Sequence, residues 1–181
     1  MGLDMYLYRR KYVKNWEHNP DRKWSISVKL NGKEQKDSLP VSYVVYDAGY
    51  WRKANAIHNW FIQNCAGGDH DRTTMYVGEE QLKELRDLCQ KVVDTAVVKK
   101  GKVYVGTRWT PEKGEEKMYE DGTTIVNAGE IAELLPTQSG FFFGSTDYDQ
   151  WYLDDVKETI SIIDKALENT EHCEFEYYAS W

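Results

Sequence analysis

Apolar and polar residues alternate most cleanly at the two ends of the chain, and this restricts the folds open to it. From Leu3 to Val13, the side chains of Leu3, Met5 and Leu7 fall on one face and those of Asp4, Tyr6 and Tyr8 on the other. That is the period of a strand with one buried face. Glu174 to Ser180 reads as a final strand. Placing both segments in one sheet predicts an α+β domain: an antiparallel sheet containing the N- and C-terminal strands, packed with about three helices. Direct pairing of the two terminal strands is an extension of that reading. At 181 residues the chain suits a single domain, 1–181, able to bury a core without disulfide or metal.

Between the ends, Trp24, Ile26, Val28 and Leu30 alternate with polar residues and run into Asn31-Gly32, a two-residue hairpin signal. The return arm, Lys33 to Ser38, is polar, so this hairpin is expected to project at an edge. Val41 to Tyr46 and Thr73 to Val77 read as further strands. A first helix is expected through Tyr50 to Phe61, with Tyr50, Ala54, Ile57 and Phe61 as its core stripe. A second starts near Glu79 and buries Leu82, Leu85, Cys89, Val92 and Val93. A third begins after Asp147 or Asp149 and carries Tyr152, Val156, Ile160, Ile163 and Leu167, with Asp154, Asp155 and Glu158 among its exposed charges. A short helix from Glu130 to Leu135 ends at Pro136. Residues 101–127 read as a β-rich insertion, with short strands around Asp121-Gly122 and a charged loop.

Thirty acidic against 23 basic residues give a net charge of −7, which disfavours general nucleic-acid binding by phosphate neutralisation. No apolar run is long enough to cross a membrane, and the opening Met-Gly-Leu-Asp-Met lacks the basic leader and apolar core of a secretion signal. Cys65, Cys89 and Cys173 are far apart and read as reduced, mostly buried thiols. The 7 Trp, 13 Tyr and 5 Phe supply large apolar surface with polar handles and suggest an aromatic homodimer interface.

Candidate chemistry lies in three places. In the first, Asn55 and His58 sit one helical turn apart on a shared face, with Arg52 and Lys53 just before them. Here His58 would serve as a proton-transfer group or an orienting donor, and Arg52 would grip a carboxylate or phosphate. The alternative is a histidine and an asparagine satisfied by neighbouring backbone. The second is the run Ser139 to Asp149, with Phe142, Phe143, Ser145, Asp147 and Tyr148 as candidate ligand contacts. Its glycines let backbone N–H groups face an anion, and three successive Phe are more apolar surface than a capped turn needs. It is no P-loop, because no Gly-Lys-Ser/Thr follows. The third, Gly67-Gly68-Asp69-His70-Asp71, reads as a solvated loop. Asp154 and Asp155 beside Asp147 and Asp149 would suit a divalent ion, but acids at a helix start more often serve its dipole. No metal, cofactor or catalytic residue is assigned.

The opening Gly2-Leu3-Asp4-Met5-Tyr6-Leu7, the run from Tyr50 to His58, the segment Gly140 to Ser145 and the closing Tyr177 to Trp181 together resemble a family of small uncharacterised proteins of tailed bacteriophages and prophages. The resemblance implies a phage accessory protein acting in the cytoplasm of a bacterial host. Three functions then compete. One is sequestration of a small anionic nucleotide-derived ligand, such as a cyclic nucleotide or an ADP-ribose derivative. The second is inhibition of a host nuclease, as anti-CRISPR proteins do. The third is nucleotide hydrolysis using His58 with Asp147 and Asp149.

Overall fold

A computed structural model describes residues 2–19, 23–35, 39–71 and 73–181. In chain order the elements are β1 (Asp4–Tyr12), β2 (Val28–Leu30), β3 (Lys33–Gln35), β4 (Tyr43–Arg52), α1 (Asn55–Cys65) and β5 (Thr74–Val77). They continue with α2 (Glu79–Thr95), β6 (Val98–Thr110), β7 (Gly114–Ile125), α3 (Ala128–Leu134), α4 (Gln150–Ala166) and β8 (Cys173–Ser180). Strands β4, β1, β8 and β5 lie side by side in that order, and every pairing is antiparallel. The two terminal strands are therefore central and adjacent, with Met5 opposite Ala179 and Leu7 opposite Tyr177.

The alternation at the chain ends maps onto the two faces of this sheet. Leu3, Met5, Leu7, Trp51, Val77, Phe175 and Tyr177 are buried in one cluster with side chains of all four helices. Among these are Ile57 and Phe61 of α1, Leu82 and Leu85 of α2, Ile131 of α3 and Val156 and Ile163 of α4. The opposite face, which carries Tyr6, Tyr8, Tyr50 and Tyr178, stays outside that core. Gly49 lets α4 approach β4 closely, because a Cβ there would stand 2.3 Å from Ile162 Cγ2. At the C-terminal end of α4 the Arg9 guanidinium donates to the Ala166 carbonyl at 3.2 Å and to that of Glu168, placing a cation at the negative end of the helix dipole. Among the described residues, no helix is long and apolar enough to cross a membrane.

Two elements differ from expectation. The expected helix over Tyr50 to Phe61 starts only at Asn55, and Tyr50 to Arg52 complete β4. Pairing with β1 extends this strand: Tyr50 faces Tyr6 and Trp51 faces Met5, so Trp51 is buried while Tyr50 is 46% exposed. Lys53, at φ 61°, makes the corner between strand and helix. The segment expected to be short strands and a loop is one long ribbon of β6 and β7. Its turn lies at 111–113, and Gly101 pairs with Gly122 in mid-ribbon, so Asp121-Gly122 is not a turn. The Asn31-Gly32 hairpin forms, with both residues at positive φ, as a tight two-residue turn requires. The end of its return arm, 36–38, lies outside the described residues.

Candidate functional site

The corner at Lys53 opens onto a cleft of about 650 Å³ between the start of α1, the segment before α4 and the first turns of α4. Arg52, Lys53 and Asn55 line it from one side, and Phe142, Phe143, Ser145 and Asp147 from another. These are seven of the nine residues singled out from the sequence; His58 and Tyr148 are not among its lining residues.

Asn55 binds the two sides together. Its side-chain amide donates to the carbonyls of Phe143 at 3.1 Å and Ser145 at 2.8 Å. Its carbonyl oxygen accepts from the Gln138 N–H at 3.1 Å. All this capacity goes to one loop, so Asn55 positions the cleft wall and has little left for a ligand. Phe143 turns into the core and Phe142 outward, 43% exposed against Phe141. Phe142 sits at φ 67° and Lys53 at φ 61°, so two non-glycine residues in the left-handed region meet at one cleft. Gly144, at φ 91°, lies against Lys53, whose Cβ would stand 3.2 Å from an added methyl.

One wall is positive. α1 has no acid in its first turn and no side-chain cap. Ala56 and Ile57 line the cleft, and their N–H groups find no acceptor among the described residues. Arg52 and Lys53 stand beside them with no ion pair among the described residues. Such a helix end attracts an anion through its N–H groups and its dipole.

The facing wall carries Asp147, Asp149, Asp154 and Asp155. Asp149 caps α4: one carboxylate oxygen accepts from the N–H groups of Trp151 at 2.9 Å and Tyr152 at 3.3 Å. The other oxygen is buried with no partner among the described residues, and burial raises the group above its ordinary value. Asp155, expected to be an exposed helix charge, is half-buried. Burial first, then the carboxylates of Glu158, Asp154 and Asp149, push it up to about 7. It can therefore donate or accept a hydrogen bond near neutral pH. Among the described residues, no three His, Cys, Asp or Glu side chains are arranged to hold a metal ion.

His58 lies deeper. It is 1% exposed, shares a 2.8 Å hydrogen bond with the Tyr177 hydroxyl through Nδ1, and packs edge-on against Phe143 and Trp181. Burial, with a smaller contribution from His70, lowers it to about 4, so it is neutral at physiological pH. It therefore sits as a neutral core histidine against Phe143, outside the cleft lining that carries Asp147 and Asp149. Tyr148 accepts from the Thr137 N–H at 3.1 Å and packs on Tyr152, holding the loop rather than facing the cleft. Sequence reasoning missed Trp151, Tyr104, Val105 and Gly106, which also line the cleft. Trp151 falls off the core stripe of α4 and is 50% exposed, a signal the helical period carries. Tyr104 arrives with the ribbon, and no local pattern announces it.

With this geometry established, comparison with known proteins adds no relative: no family model, no curated protein and no solved structure matches the chain. The fold and the cleft define the class, an antiparallel α+β domain with a charge-divided pocket.

Proposed function

We propose that the protein binds and sequesters a small anionic, nucleotide-derived ligand in this cleft. The observation that carries the reading is the uncapped start of α1, where Arg52 and Lys53, without an ion pair among the described residues, line one pocket with Ala56 and Ile57, whose N–H groups find no acceptor among those residues. A phosphate or pyrophosphate suits that wall. The exposed rings of Phe142 and Trp151 offer faces for a planar base. The carboxylates opposite accept from ribose hydroxyls or amino groups, so a ligand with an anion at one end and donors at the other matches both walls. The volume lies within the usual range of small-molecule pockets. The resemblance to phage and prophage proteins supports a setting in a bacterial host, where such a ligand would be a signal held out of circulation.

A thermal-shift screen with cyclic dinucleotides and ADP-ribose derivatives tests this. A ligand at 100 times its dissociation constant stabilises by roughly 2.7 kcal/mol, and sequestration predicts that it is recovered unchanged. Arg52→Ala and Phe142→Ala should each abolish the shift while the unliganded melting curve stays cooperative. A shift that survives Arg52→Ala, or no shift with any of these anions, defeats the reading.

A further inference from the structure

The sheet face turned away from the core carries a cluster of tyrosines. Cross-strand partners project to the same side, so Tyr6 of β1 shares a face with Tyr50 of β4 and Tyr178 of β8. The Tyr6 ring centroid lies 6.1 Å from that of Tyr8, at an interplanar angle of 2°, 5.2 Å from Tyr50 and 5.9 Å from Tyr178. Four carboxylates border these rings in the same register: Asp4, Asp47, Glu174 and Glu176. The basic residues sharing that register are Arg10 and Arg52. Arg52 also lines the cleft, and Arg10 is engaged: its guanidinium lies 4.7 Å over the Tyr43 ring and 3.2 Å from the Glu176 carboxylate.

We propose that this outer face is a docking surface for an arginine- and lysine-rich segment of a protein partner. Arg10 already makes within the fold the contact that a partner arginine would repeat, with its guanidinium over a tyrosine and its charge on a neighbouring carboxylate. Tyrosines anchor such contacts at low conformational cost, since only two side-chain torsions need be held. The carboxylates supply the charge complementarity that draws in a basic segment. The same carboxylates, on a chain of net charge −7, repel a phosphate backbone, so the aromatic platform is not a nucleic-acid platform. None of these tyrosines and carboxylates lines the cleft, so the test does not depend on any ligand bound there.

Fluorescence anisotropy with a labelled octapeptide of alternating arginine and glycine tests the proposal on the full chain. A glutamate–glycine octapeptide and an octauridine serve as comparators. Saturable binding of the basic peptide alone is expected. It should weaken tenfold or more in Tyr6→Ser/Tyr178→Ser and in the milder Asp47→Asn/Glu174→Gln, whose exposed carboxylates can be neutralised without disturbing the core. A control pair on α2, Glu80→Gln/Asp87→Asn, removes as much charge elsewhere and should leave affinity within twofold. Equal loss in the control pair would reduce the effect to net charge and overturn the proposal. So would binding of octauridine as tight as that of the basic peptide, or no binding of the peptide. A dimer that Tyr6→Ser/Tyr178→Ser dissolves would assign the face to a second copy and overturn it as well.

Discussion

Burial that keeps one side chain neutral makes folding stability depend on pH, and two residues beside the cleft do so with opposite signs. His58 is lowered from 6.5 to about 4, so between those values the unfolded chain binds more protons than the folded one. Its contribution is complete above pH 6.5 and is lost as pH falls through the window, on the order of 3 kcal/mol in all. His58→Gln, which keeps a partner for the Tyr177 hydroxyl, should flatten the stability profile between pH 6.5 and 4 relative to wild type in urea titrations. Asp155 is raised from 3.8 to about 7, so its folded form holds the extra proton. Its contribution is complete below pH 3.8 and is lost as pH rises to 7. Asp155→Asn should therefore stabilise the protein at pH 8, by about 1–2 kcal/mol after discounting for its partial exposure, and make no difference at pH 3.5. A parallel offset at both pH values would assign the gain to packing instead. The residue types alone suggest neither shift, because each depends on what surrounds the group.

At the scale of elements, the cleft exists because β4 runs one residue past its last buried position, Trp51, and turns at Lys53 into α1. The asparagine that starts α1 then holds the loop that leads into α4. Removing its three hydrogen bonds with Asn55→Ala should cost about 2–4 kcal/mol. The Gln138–Ser145 amides should then exchange faster with solvent than those of the sheet. Protection unchanged in that loop would show that other contacts hold it. The β6–β7 ribbon behaves differently. Its buried apolar side chains, Val103 and Ile125, lie toward its base, while Trp109 near the turn is 67% exposed. Replacing 105–118 with an Asn-Gly turn between the paired Tyr104 and Tyr119 should leave the fold intact, with a melting temperature within about 4 °C of wild type. It should also open one side of the cleft. A larger drop would mean that the outer ribbon stabilises the domain.

Over the whole molecule, the last strand to be made is central to the sheet. β8 pairs β1 on one side and β5 on the other, so the fold closes only when residues near both ends of the chain meet. Deleting 175–181 removes the buried Phe175, Tyr177 and Ala179, leaves β5 without its partner strand and strips one edge of β1. The truncated chain should show no cooperative unfolding transition by circular dichroism. A cooperative transition would mean that β4, β1 and the helices form a stable unit without β8. Pairing across so long a separation must also overcome a large loop-closure entropy, which makes refolding slow relative to helical proteins of this size.

Local periodicity by itself determined the α+β class, the shared sheet of the terminal strands, the starts of α2 and α4 and the hairpin at Asn31-Gly32. Each of these is written in consecutive residues through the alternation of a strand, the stripe of a helix or the backbone freedom of a turn. Residue types in those windows also marked Asn55 and the Ser139–Asp149 run as two separate places to look. Tertiary structure alone decided the rest. Cross-strand pairing with β1 took Tyr50 and Trp51 out of the helix, because a strand's length depends on its neighbour as well as on its own pattern. Burial behind Phe143 and Trp181 turned His58 from a candidate acid or base into a neutral core group. The same physics brought Asp155 near neutrality in the cleft wall. These outcomes depend on which distant side chains exclude water from a position, and no window of the sequence contains that information.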